Sequence, residues 1–163
     1  MTHLWEALMA KVTEIPVPEG SLLAQFGPPP GLTAEPYRDC WSRTEPGEVT
    51  LEQFIERFYC SRTFRPERML LGLIGRGGSS EDARRLARGE VQSFAAWNVV
   101  ERRERELLMQ DFSGATASWL SVEALEGSTR LMFGSWVGRA DSPLVRALMP
   151  FHSWYSRVLL GGV

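Results

Sequence analysis

The spacing of hydrophobic and polar positions changes once along this 163-residue chain. Before about residue 90, a first strand at 37–44 precedes segments in which apolar residues recur every three or four positions, as in helices. From Val91 onward the period becomes two, in four stretches at 92–101, 105–112, 115–125 and 129–138. The links between these stretches are too short for a parallel crossover. The pattern therefore predicts a four-stranded antiparallel meander.

Helix signals lie on both sides of this meander. Thr50 begins a capping-box pattern, and further helices are predicted from Pro66 and from Ser80. A final helix is predicted from Pro143, with Pro150 expected to kink it because proline removes one backbone donor. The order of elements predicts an α+β fold in which short helices follow the first strand and a long helix ends the chain.

The first 36 residues differ from the rest. Leu4 to Val12 has the spacing of a short amphipathic helix, and nine prolines and glycines interrupt any periodicity between Ile15 and Pro36. We therefore divide the chain into two parts. Residues 1–36 form an N-terminal amphipathic segment and a Pro/Gly-rich arm, and residues 37–163 form the main domain.

Tight reversals between the four strands would place Asn98 near Met109, Met109 near Trp119, and Trp119 near Ser135. One face of the sheet then collects a mostly apolar set: Phe94, Ala96, Asn98, Val100, Leu107, Met109, Asp111, Ala117, Trp119, Ser121, Leu131, Phe133, Ser135 and Val137. Its polar members would cost free energy in a dry core without partners. This face is thus predicted to line a pocket rather than a sealed interior.

The opposite face is too apolar to meet water. It carries Trp97, Val99, Leu108, Phe112, Leu120, Val122, Met132 and Trp136. A patch of this kind requires a cover. The arm of the same chain and a second copy of the protein, giving a homodimer, are both open as that cover.

Composition narrows the classes of partner. Eighteen basic and twenty acidic residues give a net charge of -2, which excludes the basic footprint of a nucleic-acid binder. No apolar run approaches the roughly 18 residues of a membrane span. Cys40 and Cys60 form no metal-binding motif, so we expect no metal or other cofactor. We expect two free thiols, with one disulfide between them as the alternative. Free thiols in turn favour a cytoplasmic location.

Three residues stand out chemically. Asp111 interrupts an apolar strand, as either a pocket carboxylate or a strand-end residue held by turn amides beside Gly114. His152 on the final helix is either an acid–base group or a structural histidine. Tyr155 on the same helix is either a hydrogen-bond donor into the pocket or part of the core.

Five stretches carry a family resemblance: residues 64–72 (FRPERMLLG), 108–112 (LMQDF), 118–123 (SWLSVE), 129–135 (TRLMFGS) and 151–157 (FHSWYSR). They resemble an uncharacterised bacterial family in the START, Bet v 1 and polyketide-cyclase-like (SRPBCC) superfamily, over about residues 37–160. The resemblance implies a helix-grip fold. In that fold a curved antiparallel sheet, of about five to seven strands, grips a long C-terminal helix after two or three short helices.

The resemblance also implies a cavity between sheet and helix, without naming a reaction. Because the predicted inward face is apolar with a few polar groups, we expect this cavity to bind a hydrophobic or amphipathic small molecule that is lipid-, sterol- or polyketide-like. The predicted ligand-binding residues are Asn98, Met109, Asp111, Trp119, Ser121, Phe133, Ser135, His152 and Tyr155. The first alternative is an enzyme of the cyclase, dehydratase or hydrolase type that uses Asp111, His152 and Tyr155. The second is a pocketless interaction module that pairs through Trp97, Leu120 and Trp136.

Overall fold

A computed structural model describes residues 12–27, 36–62, 64, 77–138 and 143–163 of the chain. These residues form one seven-stranded antiparallel sheet in the order β1-β2-β7-β6-β5-β4-β3. The strands are β1 (Thr13–Glu14), β2 (Tyr37–Pro46), β3 (Ser93–Phe94), β4 (Trp97–Arg102), β5 (Glu106–Asp111), β6 (Thr116–Leu125) and β7 (Ser128–Val137). Four helices are described: α1 (Leu22–Gln25), α2 (Leu51–Cys60), α3 (Ser80–Ala87) and α4 (Pro143–Gly161). The predicted α+β class is confirmed.

Local sequence signals account for most of these elements. The Thr50 side chain accepts from the backbone N–H of Gln53 at 3.2 Å, and the Gln53 side chain accepts from the N–H of Thr50 at 3.0 Å. This reciprocal cap satisfies two donors that would otherwise be orphaned at the start of α2. Pro150 lies inside α4. The predicted helix from Pro66 and the amphipathic segment before Val12 lie outside the described residues.

The inner face of the sheet packs against α2, α3 and α4. Its core consists of side chains from β2 and from β5 to β7: Trp41, Leu107, Met109, Leu120, Val122, Leu131 and Phe133. Into this layer α2 inserts Phe54, Ile55 and Phe58, which are fully or nearly fully buried. The helix α4 lies across β2 and β7, which are neighbours and the second and third strands from the β1 edge of the sheet.

The outer face of the sheet is covered by the arm of the same chain. Leu22 and Leu23 of α1 join the cluster formed by Cys40, Leu108, Ala117, Trp119, Met132 and Trp136. The Phe26 ring meets the Trp136 ring edge-on, with centroids 4.9 Å apart. Of the two covers left open by the sequence, the arm is therefore the one that the structure shows.

Glu106 on β5 fastens the arm to this face. One oxygen of its carboxylate accepts the backbone N–H of Leu22 at 2.9 Å and the indole N–H of Trp119 at 2.8 Å. Its other oxygen pairs with Arg103 at 3.1 Å. A carboxylate at the first turn of α1 completes donors that the short helix leaves unpaired. The arm is thus held by polar as well as apolar contacts.

The predicted faces of β4 and β6 are wrong by one residue. Met109 pairs with Ser118 and with Val99, and Trp119 pairs with Gly134. A shift of one position moves every side chain of a strand to the other face. The residues Trp97, Val99, Leu120 and Val122 therefore belong to the inner face, whereas Asn98, Ala117, Trp119 and Ser121 belong to the outer face.

The physical reasons are a turn and a bulge. Between β5 and β6, the Gly114 N–H donates to the Asp111 carbonyl at 3.0 Å and the Thr116 N–H donates to the Asp111 carboxylate at 2.9 Å, which fixes the register of the pair. In β4 the pairing with β5 shifts between Val99 and Glu101. Such a bulge inserts one residue without a partner, here Val100.

Among the described residues, no helix has the length and apolar character that a membrane span requires.

Candidate functional site

A cavity of about 150 Å³ lies on the inner face, between the sheet, α2 and α4. Its apolar wall is mostly aromatic: Phe58, Tyr59, Phe64, Trp97, Phe133 and Tyr155. Ala117, Trp136 and Leu159 complete the apolar part, and hydroxyl and imidazole side chains form the polar part: Thr116, Ser118, Ser135, His152 and Ser156. Small-molecule sites commonly combine an apolar lining with a few polar groups that orient the ligand in this way.

The aromatic wall is held by ring-to-ring packing. The Phe58 ring lies 5.0 Å from the Phe133 ring, and the Tyr59 ring lies 5.0 Å from both the Phe64 and the Phe94 rings. The Tyr59 hydroxyl also donates to the sulfur of Met109 at 3.4 Å. Aromatic pairs of this kind add to the stabilisation that burial of their surface gives, so the rings pack against one another and still leave the cavity open between them.

A buried carboxylate stands behind the polar end of the cavity. Asp39 of β2 lies opposite Ser135 of β7, and its Oδ1 accepts the backbone N–H of Ser135 at 3.0 Å. Its Oδ2 accepts the hydroxyl of Tyr37 at 3.2 Å, and the His152 Nε2 lies 3.9 Å from the same oxygen. The residue is only 3% exposed. Asp39 therefore links three polar groups of β2, β7 and α4.

The charge of Asp39 acts on its neighbours. Burial raises the pKa of the Tyr37 hydroxyl; its contact with Ser153 opposes this, and the charge of Asp39 adds to it. Burial raises the pKa of the adjacent Cys40 thiol to about 12, and Asp39 contributes in the same direction. Both groups are consequently held in their neutral forms beside the carboxylate.

The two thiols are free, as predicted, and should differ in reactivity. Cys40 is buried whereas Cys60 is half-buried. Because thiolate is the reactive form, we expect an aromatic disulfide reagent at pH 8 to modify one thiol in the folded chain and two in denaturant. The Cys60→Ser variant should show none when folded. Rapid modification of Cys40 in that folded variant would contradict this prediction.

The raised pKa of Cys40 also predicts a pH dependence of stability. Its folded value of about 12 lies above the ordinary 9.0, so the protonated thiol stabilises the fold fully below about pH 9. This contribution declines as the pH rises toward 12. Comparing urea denaturation of the chain and of Cys40→Ala at pH 8 and at pH 10.5 measures it.

Three residues that line the cavity carry a buried polar atom without a partner: Trp136 at its indole Nε1, and Ser135 and His152 at the polar end. The Ser135 Oγ and the His152 Nε2 are buried and form no hydrogen bond with any described residue. The 3.9 Å between His152 Nε2 and Asp39 Oδ2 exceeds hydrogen-bond length. Buried polar atoms are paired in the great majority of cases, so each such exception requires a physical reason.

The structure brings four of the nine predicted site residues into the cavity wall: Phe133, Ser135, His152 and Tyr155. Met109 lies on the same face but beneath the wall, in the core. The other four lie elsewhere. Asn98 is exposed on the outer face, and Trp119 and Ser121 are buried on that face because of the one-residue shift of β6.

Asp111 is held in the turn that follows β5. Its carboxylate accepts the N–H groups of Ser113 at 3.3 Å and Thr116 at 2.9 Å, and it also accepts the Ser113 hydroxyl. This is the strand-end alternative of the sequence analysis, satisfied by turn amides beside Gly114. Asp111 therefore does not converge with His152 and Tyr155 on the cavity.

Sequence reasoning missed Asp39. A signal was present, because Asp39 stands between the aromatic residues Tyr37 and Trp41 at alternate positions of one predicted strand. What the pattern lacked was the partner of β2, which is β7, some ninety residues later in the chain. Without that pairing no face could be assigned to β2.

Two other points of the sequence analysis concern a protein-interaction face and metal binding. Leu120 and Trp136, offered as an interaction face, are almost completely buried, and Trp97 lines the cavity. Within the part of the chain that the structure describes, no group of three or more His, Cys, Asp or Glu side chains could hold a metal ion.

Comparisons with known proteins add little. No family model matches the chain, and no curated protein matches it. Among solved structures, a conserved protein of unknown function from Enterococcus faecalis is similar at 7% identity and a TM-score of 0.40. The similarity covers 99% of this chain and 80% of that one.

Proposed function

We propose that this chain binds a compact, mostly apolar small molecule with one polar end, in the cavity between the sheet and α4. The antiparallel sheet and the position of α4 across β2 and β7 are compatible with the helix-grip arrangement that the sequence suggests. In that arrangement the final helix forms the roof of the cavity, with Tyr155, Ser156 and Leu159 facing the ligand.

The cavity volume sets the size of this ligand. About 150 Å³ is comparable to an engineered apolar cavity that holds benzene, and it falls below the roughly 300–1,000 Å³ of sites for drug-sized molecules. A single ring with a small substituent fits. We therefore propose a ligand of this size in place of the lipid, sterol or polyketide expected from the resemblance.

The pair of unpartnered atoms, Ser135 Oγ and His152 Nε2, is the single observation that carries the proposal. Leaving a buried donor or acceptor unpaired costs about 1–3 kcal/mol. A polar substituent on the ligand would remove this cost by bonding to one or both groups. The aromatic walls would meanwhile bury the ring of the ligand, at about 25 cal/mol for each Å² of apolar surface removed from water.

A titration with one-ring compounds tests the proposal. We expect benzyl alcohol, phenol and indole to shift the side-chain NMR signals of Trp97 and Tyr155, with saturation. The Ser135→Ala variant should bind the same compounds roughly five- to tenfold more weakly, because it removes one hydrogen bond from a pre-formed site.

Two matched variants sharpen this test. Ser42→Ala removes a buried hydroxyl from the outer face and should leave affinity unchanged. Ser118→Phe places a ring at the inner face beside Ser135 and should abolish binding in a chain that still unfolds cooperatively. The proposal fails if none of the compounds shifts cavity signals, or if Ser118→Phe binds as well as the unchanged chain.

A further inference from the structure

A negative charge lies behind the polar end of the cavity with no Lys or Arg beside it. The side chain of Asp39 is 0% exposed, and His152 is the basic residue found within 4 Å of it among the described residues. No Lys or Arg of those residues lines the cavity. The guanidinium of Arg157 on α4 lies over the Trp41 ring, 5.6 Å from its centroid, and Arg157 is not among the residues that line the cavity.

Resting on the proposed function, we propose that the cavity selects ligands by charge: it binds alcohols, phenols or amines and rejects carboxylates and phosphates of the same size. The hydroxyl of Ser135 and the imidazole of His152 are the groups that would meet the polar end of the ligand. The carboxylate of Asp39 sets which charge that end can carry.

The distances make this selection effective. Asp39 Oδ1 is 3.0 Å from the backbone nitrogen of Ser135, so a ligand atom bonded to the Ser135 hydroxyl lies within about 9 Å of the carboxylate. At about 9 Å and an effective dielectric constant near 20, two like charges repel enough to lower affinity roughly twentyfold. A neutral ligand escapes this penalty, and an ammonium group gains from the same field.

Two hydrogen bonds fix the position of the Asp39 carboxylate. The Ser135 N–H and the Tyr37 hydroxyl both donate to it. Two residues of α4 face this carboxylate. His152 is the basic one, and Ser153, whose hydroxyl contacts the Tyr37 hydroxyl, is neutral. A variant that removes the imidazole therefore isolates the effect of Asp39.

The experiment compares benzyl alcohol, benzylamine and benzoate at pH 7.5. The three compounds share one ring and a small substituent but are neutral, cationic and anionic respectively. In the unchanged chain we expect benzoate to bind at least tenfold more weakly than benzyl alcohol. In His152→Gln, which cannot carry a positive charge, this ratio should stay the same or increase.

Two isosteric variants locate the charge responsible. In Asp39→Asn the gap between benzyl alcohol and benzoate should narrow to about threefold or less. Glu123→Gln makes the same change of charge at an exposed ion pair with Arg130, outside the cavity, and should keep the full gap. If Asp39→Asn does not fold, the three-ligand comparison in the unchanged chain and in His152→Gln decides the question.

The outcomes separate this inference from the proposed function. Equal binding of benzoate and benzyl alcohol by the unchanged chain overturns the charge selection while leaving a binding site. A gap that persists in Asp39→Asn overturns the assignment to Asp39. Failure of all three compounds to bind overturns the proposed function itself, and the inference with it.

Discussion

Replacing Gly134 with alanine is expected to lower the free energy of unfolding by about 3 kcal/mol. A Cβ at this position would overlap Leu23 Cδ2 and would stand 2.9 Å from the carbonyl oxygen of Asp39 and 3.2 Å from Trp119 Cε3. The Leu23 side chain could move, but the Asp39 carbonyl belongs to the strand paired with β7. Overpacking of this kind typically costs 1–3 kcal/mol, and a backbone contact places this case at the upper end.

Urea denaturation followed by tryptophan fluorescence measures the effect. The control is Gly27→Ala, because a Cβ at Gly27 would meet nothing within 4 Å and its φ is not positive. That variant should unfold within about 0.5 kcal/mol of the unchanged chain. Limited proteolysis adds a second measurement, since displacing Leu23 should expose the arm to cleavage. A Gly134→Ala variant as stable as Gly27→Ala would show that the arm does not pack tightly on β7.

The prediction on Gly134 depends on the outer face of the sheet, and only some of the residues of that face were predicted from the sequence. The strands themselves could be predicted, because alternation is a local property of the chain. Which face each strand presents could not, since that depends on register. One bulge at Val100 and one turn at Asp111 each moved a strand by a single residue.

The helices were more predictable than the sheet. The capping box at Thr50 is complete within four residues, and the spacing that put His152 and Tyr155 on one side of the final helix is also local. Ser135 was assigned to the cavity correctly because β7 kept its predicted face. Asn98 and Ser121 were not, because their strands changed faces.

Asp39 illustrates another limit of prediction from a single sequence. Its importance comes from pairing between β2 and β7, which are distant in the chain, and from the position of α4 above both. A single sequence carries no signal for such a pairing. A carboxylate among inward-facing residues of a predicted strand is nevertheless a pattern worth testing, because a buried charge requires partners.

A second large effect on stability is expected where β2 contacts the end of α4. Replacing Arg43 with methionine is expected to lower the free energy of unfolding by about 3 kcal/mol. Arg43 is on β2 and its side chain is 9% exposed. Its Nη1 shares two hydrogens among the backbone oxygens of Leu160, Gly161 and Val163, at 3.4, 3.2 and 3.1 Å, while its Nη2 pairs with Glu45 at 3.3 Å. Helix ends leave carbonyls unpaired, and hydrogen bonds from a charged donor contribute about 1.5–3 kcal/mol.

Binding should weaken along with stability, because α4 supplies Tyr155, Ser156 and Leu159 to the cavity. We expect Arg43→Met to bind benzyl alcohol several-fold more weakly at a temperature where it is still folded. The control is Arg130→Met on the neighbouring strand β7. Arg130 forms an exposed ion pair with Glu123, and pairs of that kind contribute at most about 1 kcal/mol. Two results would contradict this prediction: an equal loss of stability in the two arginine variants, or full affinity in Arg43→Met. Either would mean that Arg43 does not anchor the end of α4, and that apolar packing alone holds the roof of the cavity.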